Sequence, residues 1–175
     1  MLKGSRIYLK EDFTDKELIE LLKWFHDIEV VKYFSFAKKA LNLKNKKELK
    51  TFCYPVKDAQ YFTVHKNKRF IGYTLLVNFK NTACEIGITL AKDCWGKGYG
   101  HEAIMLTIEH AFNELKIKRI HLTTSEYNKR AIKLYKKIGF KITKKIQKDR
   151  DVYHNNKWQK SATICMEIKK KDYKK

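Results

Sequence analysis

The chain has 175 residues, the span of one ordinary domain, so the expectation is a single domain over residues 1–175. Leu, Ile, Val and Phe make up about 27% of it, enough for a sizeable core, while no apolar run approaches the ~18 residues of a membrane span. Lys and Arg number 39 against 19 Asp and Glu, a net charge of +20 with a pI near 9.7, which points to anionic partners such as a phosphate-bearing cofactor, RNA or the ribosome.

Thr14 and Glu17 form a capping box, with Leu18, Leu21, Leu22 and Phe25 following at helical spacing, so the first helix is well specified. From Val30 to Tyr54 shorter, less regular helix is expected, with Asn45 and Glu48 repeating the cap pattern before Leu49 and Phe52. From Ala59 the texture changes. Tyr61–Val64 and Ile71–Phe79 are β-branched and aromatic runs, separated by Asn67 and Lys68, which suit a tight turn. In the third run Cys84, Ile86, Ile88 and Leu90 alternate with Glu85, Gly87 and Thr89, which places one carboxylate opposite the apolar face.

A long helix is expected around Ile104, Ile108, Ala111, Phe112 and Leu115, a strand at Arg119–Thr124, and a helix carrying Ala131, Leu134, Tyr135 and Ile138 that stops at Gly139. Phe140–Gln147 and Thr163–Ile168 complete the sheet. This order describes an α/β fold with a mixed sheet and helices on its faces. Met1–Lys10 lacks the apolar segment of a secretion signal, and the spacings of Cys53, Cys84, Cys94 and Cys165 match neither a zinc knuckle nor a redox pair. Reduced thiols, no metal and a cytoplasmic location are therefore expected.

Only seven glycines occur, and Gly96, Gly98 and Gly100 fall within five residues, between a strand and a long helix. Glycine permits positive φ and lets backbone N–H groups converge, and the following helix N-terminus adds about half a positive charge, so the segment suits a phosphate or pyrophosphate. It is neither a Walker A loop, since Gly98 rather than Ser or Thr follows Lys97, nor a dinucleotide fingerprint in repeated βαβ units.

Trp95-Gly96-Lys97-Gly98-Tyr99-Gly100 resembles the acetyl-CoA pyrophosphate loop of the GCN5-related N-acetyltransferase (GNAT) family, with Trp95 in place of the usual Gln or Arg. The aromatic version is similar to that of ribosomal-protein alanine and polyamine (spermidine) acetyltransferases. Asn128, Ala131, Tyr135, Gly139 and Phe140 resemble the family's second motif, and the likeness extends over roughly Ala59–Ile168.

The resemblance implies a largely antiparallel sheet splayed at its centre and acetyl-CoA as cosubstrate. It implies contacts from Ile88, Thr89 and Leu90 to pantetheine through backbone, and from Trp95, Gly96, Lys97, Gly98, Tyr99, Gly100, His101, Asn128 and Tyr135 to the rest of the cofactor. Glu85 becomes the candidate base that takes a proton from the ammonium, and Tyr135 the acid that protonates the leaving thiolate. Composition alone reads Glu85 as a solvated strand residue and Tyr135 as core.

Trp24, Phe25, Asp27, Glu29 and Tyr33 are candidates for the amine pocket, the two carboxylates serving to draw in a cation. The acceptor is a small amine (polyamine, aminosugar or aminoglycoside) or a protein N-terminus, acetylated directly by a monomer or homodimer. The alternatives are a basic RNA- or ribosome-binding module and a catalytically silent acyl-CoA-binding protein on the same fold.

Overall fold

The computed structural model describes residues 1–53 and 58–173, with backbone alone at Cys53. In chain order these form β1 (Leu2–Lys3), β2 (Tyr8–Glu11), α1 (Asp15–Phe25), α2 (Ile28–Val31), α3 (Ala37–Leu41), α4 (Lys46–Cys53), β3 (Gln60–Lys66), β4 (Arg69–Lys80), β5 (Ala83–Leu90), α5 (Tyr99–Asn113), β6 (Arg119–Ser125), α6 (Lys129–Ile138), β7 (Lys141–His154) and β8 (Lys157–Lys169). The strands make one sheet in the order β1-β2-β3-β4-β5-β6-β8-β7, antiparallel except where β5 meets β6. Among the described residues no helix is long and apolar enough to cross a membrane.

Local chemistry accounts for most boundaries. Thr14 accepts from the Glu17 amide at 3.3 Å while the Glu17 carboxylate accepts from the Thr14 amide at 2.7 Å, the reciprocal cap expected for α1. Asn45 and Glu48 form a related cap before α4, the Glu48 amide donating to the Asn45 side chain at 3.0 Å while the Glu48 carboxylate accepts from the Lys44 amide at 2.9 Å. Asn67 and Lys68, both at positive φ, make the tight turn between β3 and β4, and Asn155 and Asn156 do the same between β7 and β8. Gly139 ends α6 in the left-handed region at φ +111°.

Two parts of the sheet were not expected. β1 and β2 form at the N-terminus, where short polar strands leave little alternation to read, and β2 extends the sheet by pairing with β3. The last two strands run far past Gln147 and start well before Thr163. Lys141–Asp149 are all exposed at the sheet edge, so their side chains follow no apolar period, although Lys141, Ile142 and Lys144–Ile146 pair with β8 and the pairing resumes at Arg150 after an irregularity. The expected Tyr54 lies outside the described residues.

The core has two parts. One packs Ile104, Ile108 and Phe112 of α5 and Tyr135 and Ile138 of α6 with Cys84, Ile86, Ile120 and Leu122 of the sheet. The other packs Leu18, Leu21 and Phe25 of α1 and Leu49 of α4 with Tyr61 and Tyr73. Each fully buried Leu, Ile or Phe contributes roughly 1.5–3 kcal/mol relative to exposure. The two parts meet at β4, which gives Leu76 to the first and Tyr73 to the second, and the first also holds β5, the strand that leads into the glycine loop.

Candidate functional site

The parallel pairing of β5 with β6 lasts for three rungs, Ala83 with Arg119, Cys84 with Ile120, and Glu85 with His121. Beyond Glu85, β5 stays paired with β4 as far as Leu90 while β6 continues alongside β8 to Ser125. The edge of β5 from Ile86 to Leu90 that faces β6 therefore has no strand partner among the described residues. Its N–H and C=O groups need partners, which an extended amide-bearing chain in the gap would supply.

At the wide end of that gap stands the glycine loop. Gly96 and Gly98 both have positive φ, +73° and +84°, and Gly98 is the N-cap of α5. The first N–H groups of α5 lack partners within the helix, and the helix dipole makes their end positive, so loop and helix form an anion cradle. Gly100 serves differently. It lies inside α5 without positive φ, and a Cβ there would reach Leu90, Leu134 and Ile88 at 3.4–3.7 Å, so its smallness lets α5 sit close to β5 and α6.

Arg6 and Glu102 brace this loop, and sequence reasoning missed both. Arg6 donates from Nη1 to the Lys97 carbonyl at 3.0 Å and from Nε to Glu102 at 3.0 Å, and Glu102 also accepts from the Arg6 amide at 2.8 Å. Burial pulls the Glu102 pKa upward, but the hydrogen bonds from Arg6 and Ile7 outweigh it and hold the carboxyl below its ordinary value. The only sequence signal was an acidic residue in a first helical turn.

The remaining expected cofactor residues divide. Lys97 is exposed, and Trp95 donates its indole N–H to the Leu90 carbonyl at 2.9 Å while its ring lies 3.6 Å beneath the Arg130 guanidinium. Asn128 caps α6 by accepting from the Ala131 amide at 3.3 Å. His101 is half-buried, and burial, followed by the charges of Lys137 and Arg6, lowers its pKa. Tyr99 turns its side chain away into the core, where its hydroxyl meets Lys66, so only its backbone faces the cradle.

Glu85 and Tyr135 lie within electrostatic reach of each other. Tyr135 is buried, and burial first, then the nearby Glu85 charge, raises its phenol well above the ordinary value near 10. Glu85 is half-buried and accepts from the Asn78 side-chain amide at 2.8 Å. Burial raises the Cys84 thiol to about 12 and also raises Cys94, so neither of these two is a ready nucleophile.

The expected amine-pocket residues are less united. Phe25 is fully buried in the α1 core and lines no open surface. Trp24 stacks on Phe70 at 4.9 Å and donates to Glu20. Asp27 caps α2 and faces Lys92 at 3.5 Å, while Glu29 pairs with Lys32 at 2.7 Å. Of these only Tyr33 is tied to β7, on the far side of the groove that the β5–β6 gap leaves, its hydroxyl 3.3 Å from His154 Nδ1.

Residues 6–141 match the family model described as an acetyltransferase (GNAT) domain. The chain belongs to the GNAT acetyltransferase family. The match takes in the N-terminal helices as well as the two motifs, and it stops at the beginning of β7.

Acetyltransferase PseH of Campylobacter jejuni subsp. jejuni serotype O:23/36 (strain 81-176) is 30% identical over 95 residues, 54% of this chain and only 57% of that protein's length. The uncharacterized protein YkkB of Bacillus subtilis (strain 168) is 29% identical over 154 residues, 82% of this chain and 85% of the other. In fold, the chain is similar to spermidine N-acetyltransferase from Vibrio cholerae in complex with CoA and spermine. That match has a TM-score of 0.83 at 19% identity and covers 97% of this chain and 99% of that one.

Proposed function

We infer that this GNAT protein transfers an acetyl group from acetyl-CoA directly to a primary amine. The wedge between β5 and β6 supports this most directly, since it opens at Glu85 and leads along the unpaired edge of β5 to the glycine cradle at the start of α5. The residues fit the cofactor. The cradle suits its pyrophosphate, and the free edge of β5 suits the amides of its pantetheine arm. Gly96, Lys97, Gly98 and the first N–H groups of α5 would hold the phosphates, with Ile88, Thr89 and Leu90 offering backbone partners to the arm.

Bound acetyl-CoA supplies the acetyl group as an activated thioester. Glu85, at the apex of the wedge, accepts the proton that an ammonium must lose before its nitrogen can attack the carbonyl carbon. Tyr135 keeps its proton through neutral pH and donates it as the C–S bond breaks, so the sulfur leaves as a thiol. The high thiol pKa values of Cys84 and Cys94 favour direct transfer over a cysteine acyl-enzyme. The spermine-bound Vibrio cholerae structure supports an amine acceptor by likeness of fold.

The test is to mix the protein with acetyl-CoA and a panel of polyamines, amino sugars, aminoglycosides and peptides, and to follow free thiol together with the mass of the acceptor. Amine-dependent thiol release with a gain of one acetyl group is the expected result. Tight CoA binding without thiol release from any acceptor would instead describe a silent acyl-CoA-binding protein.

A further inference from the structure

The groove above Glu85 carries a charge pattern opposite to the one a polyamine needs. Of the two carboxylates expected to attract a cation, Asp27 spends one oxygen on the α2 cap and turns the other toward Lys92, and Glu29 is held by Lys32. A polycation approaching a chain of net charge +20 would have to displace those lysines.

Two guanidiniums stand beside Tyr33 instead. Arg150 is half-buried, reaches in from β7, and donates to Thr163 Oγ1 at 3.2 Å, the Tyr33 carbonyl at 3.4 Å and Thr123 Oγ1 at 2.9 Å. All three acceptors are neutral. A guanidinium has five N–H groups, so two remain unassigned. Arg150 feels the charges of Asp149 and Glu85, yet among the described residues no carboxylate lies within ion-pair distance of it. Asp149 itself accepts from the Thr163 amide at 3.2 Å.

Arg130 lies over the Trp95 ring, within the electrostatic reach of Tyr33 and Glu29, and likewise has no ion pair among the described residues. Tyr127 stacks on His154 at 4.3 Å, and His154 meets the Tyr33 hydroxyl, so flat rings border the same groove. A partly desolvated guanidinium with spare donors gains most from an oxyanion, which it can bind through two parallel hydrogen bonds.

Resting on the amine-acetyltransferase reading, the geometry points to an acceptor that is a ring-bearing amine with an anionic oxygen group, phosphate or carboxylate, received by Arg150 and Arg130. The amine then faces Glu85 while the anion meets the guanidiniums. Polyamines lack that second handle, and neutral amino sugars have only the ring.

The experiment compares acceptors that share one amine and differ in charge: glucosamine, glucosamine 6-phosphate, glucosaminuronic acid and, as the cationic contrast, spermidine. Thiol release from acetyl-CoA gives kcat/KM for each. Glucosamine 6-phosphate or the uronic acid should exceed glucosamine by at least tenfold and spermidine by at least a hundredfold, the better of the two identifying the anion. The preference should shrink severalfold in Arg130→Met, at an exposed position where folding is not at risk, and more in Arg150→Met than in Arg150→Lys. Equal use of charged and neutral amino sugars, or spermidine as the best acceptor, would overturn this inference and leave amine acetylation standing. Thiol release with none of the four, nor with the wider amine panel, would overturn both.

Discussion

Glu85 and His121 form the last rung of the parallel β5–β6 ladder, and the strands part immediately beyond them. Because paired residues of neighbouring strands project to the same face, the carboxylate stands at the apex of the wedge. On the helix side, the Tyr135 phenol feels its charge. The proposed proton acceptor and proton donor thus flank the place where the two strands stop sharing hydrogen bonds.

Replacing Glu85 by Gln keeps size and the bond from Asn78 but removes basicity. The variant's turnover should be depressed most near neutral pH and should approach that of the wild type as rising pH deprotonates the acceptor amine in solution. Turnover measured against pH for both proteins decides the matter, and parallel profiles would mean that the proton leaves by another route.

Tyr135→Phe removes one hydroxyl and leaves the ring in its core position against Phe140. A lost general acid costs about 10²–10⁴ in turnover, and acetyl-CoA affinity should barely change. Since burial and the Glu85 charge both hold the proton on the phenol, the wild-type rate should show no loss from Tyr135 ionisation as pH rises to about 10. A Phe variant with wild-type kcat would return Tyr135 to a purely structural role.

The two loop glycines should respond differently. A side chain at Gly98 must adopt φ +84° and place its Cβ 3.0 Å from the Arg6 guanidinium that braces the loop, whereas a Cβ at Gly96 meets open space and bears only the cost of positive φ. Gly98→Val should weaken acetyl-CoA binding by at least tenfold in calorimetry, and Gly96→Ala by less. The reverse order would remove the pyrophosphate assignment.

Acid should destabilise the fold through its histidines. His65, His101 and His110 all have lowered pKa values, in each case chiefly because burial disfavours the charged ring. The unfolded chain then binds more protons than the folded one below about pH 6.5, so stability is complete above that value and falls as pH drops through the window beneath it. Melting temperatures at pH 7.5 and 5.5 should show this decline, and His110→Gln should lessen it. An unchanged slope in that variant would exclude His110 as a contributor.

What the sequence made legible was what local chemistry dictates. The Thr14–Glu17 cap, the Asn67-Lys68 turn, the glycine loop and the alternation that sets Glu85 opposite Cys84 and Ile86 each rest on neighbours a few residues apart, and each appears in the fold. The groove is another matter. Arg150 lies in a polar stretch that reads as loop, because a strand exposed at the sheet edge has no apolar period, and its partners Tyr33 and Thr163 are remote or across a hairpin turn. The Arg6 brace joins residues more than ninety positions apart. The carboxylates of Asp27 and Glu29 were visible, but the lysines that engage them were not assignable, since in so basic a chain every acid has several lysines nearby in sequence.

If an amine meets acetyl-CoA at the wedge beside Glu85, the stoichiometry of the products shows it. With acetyl-CoA and an accepted amine, the protein should release one free thiol for each acetylated amine found by mass spectrometry, and Glu85→Gln should slow both together at neutral pH. Thiol release that proceeds without an amine would mean hydrolysis rather than amine acetylation, and acetylated amine formed at the wild-type rate when Glu85 and Tyr135 are both replaced would place the chemistry away from the wedge.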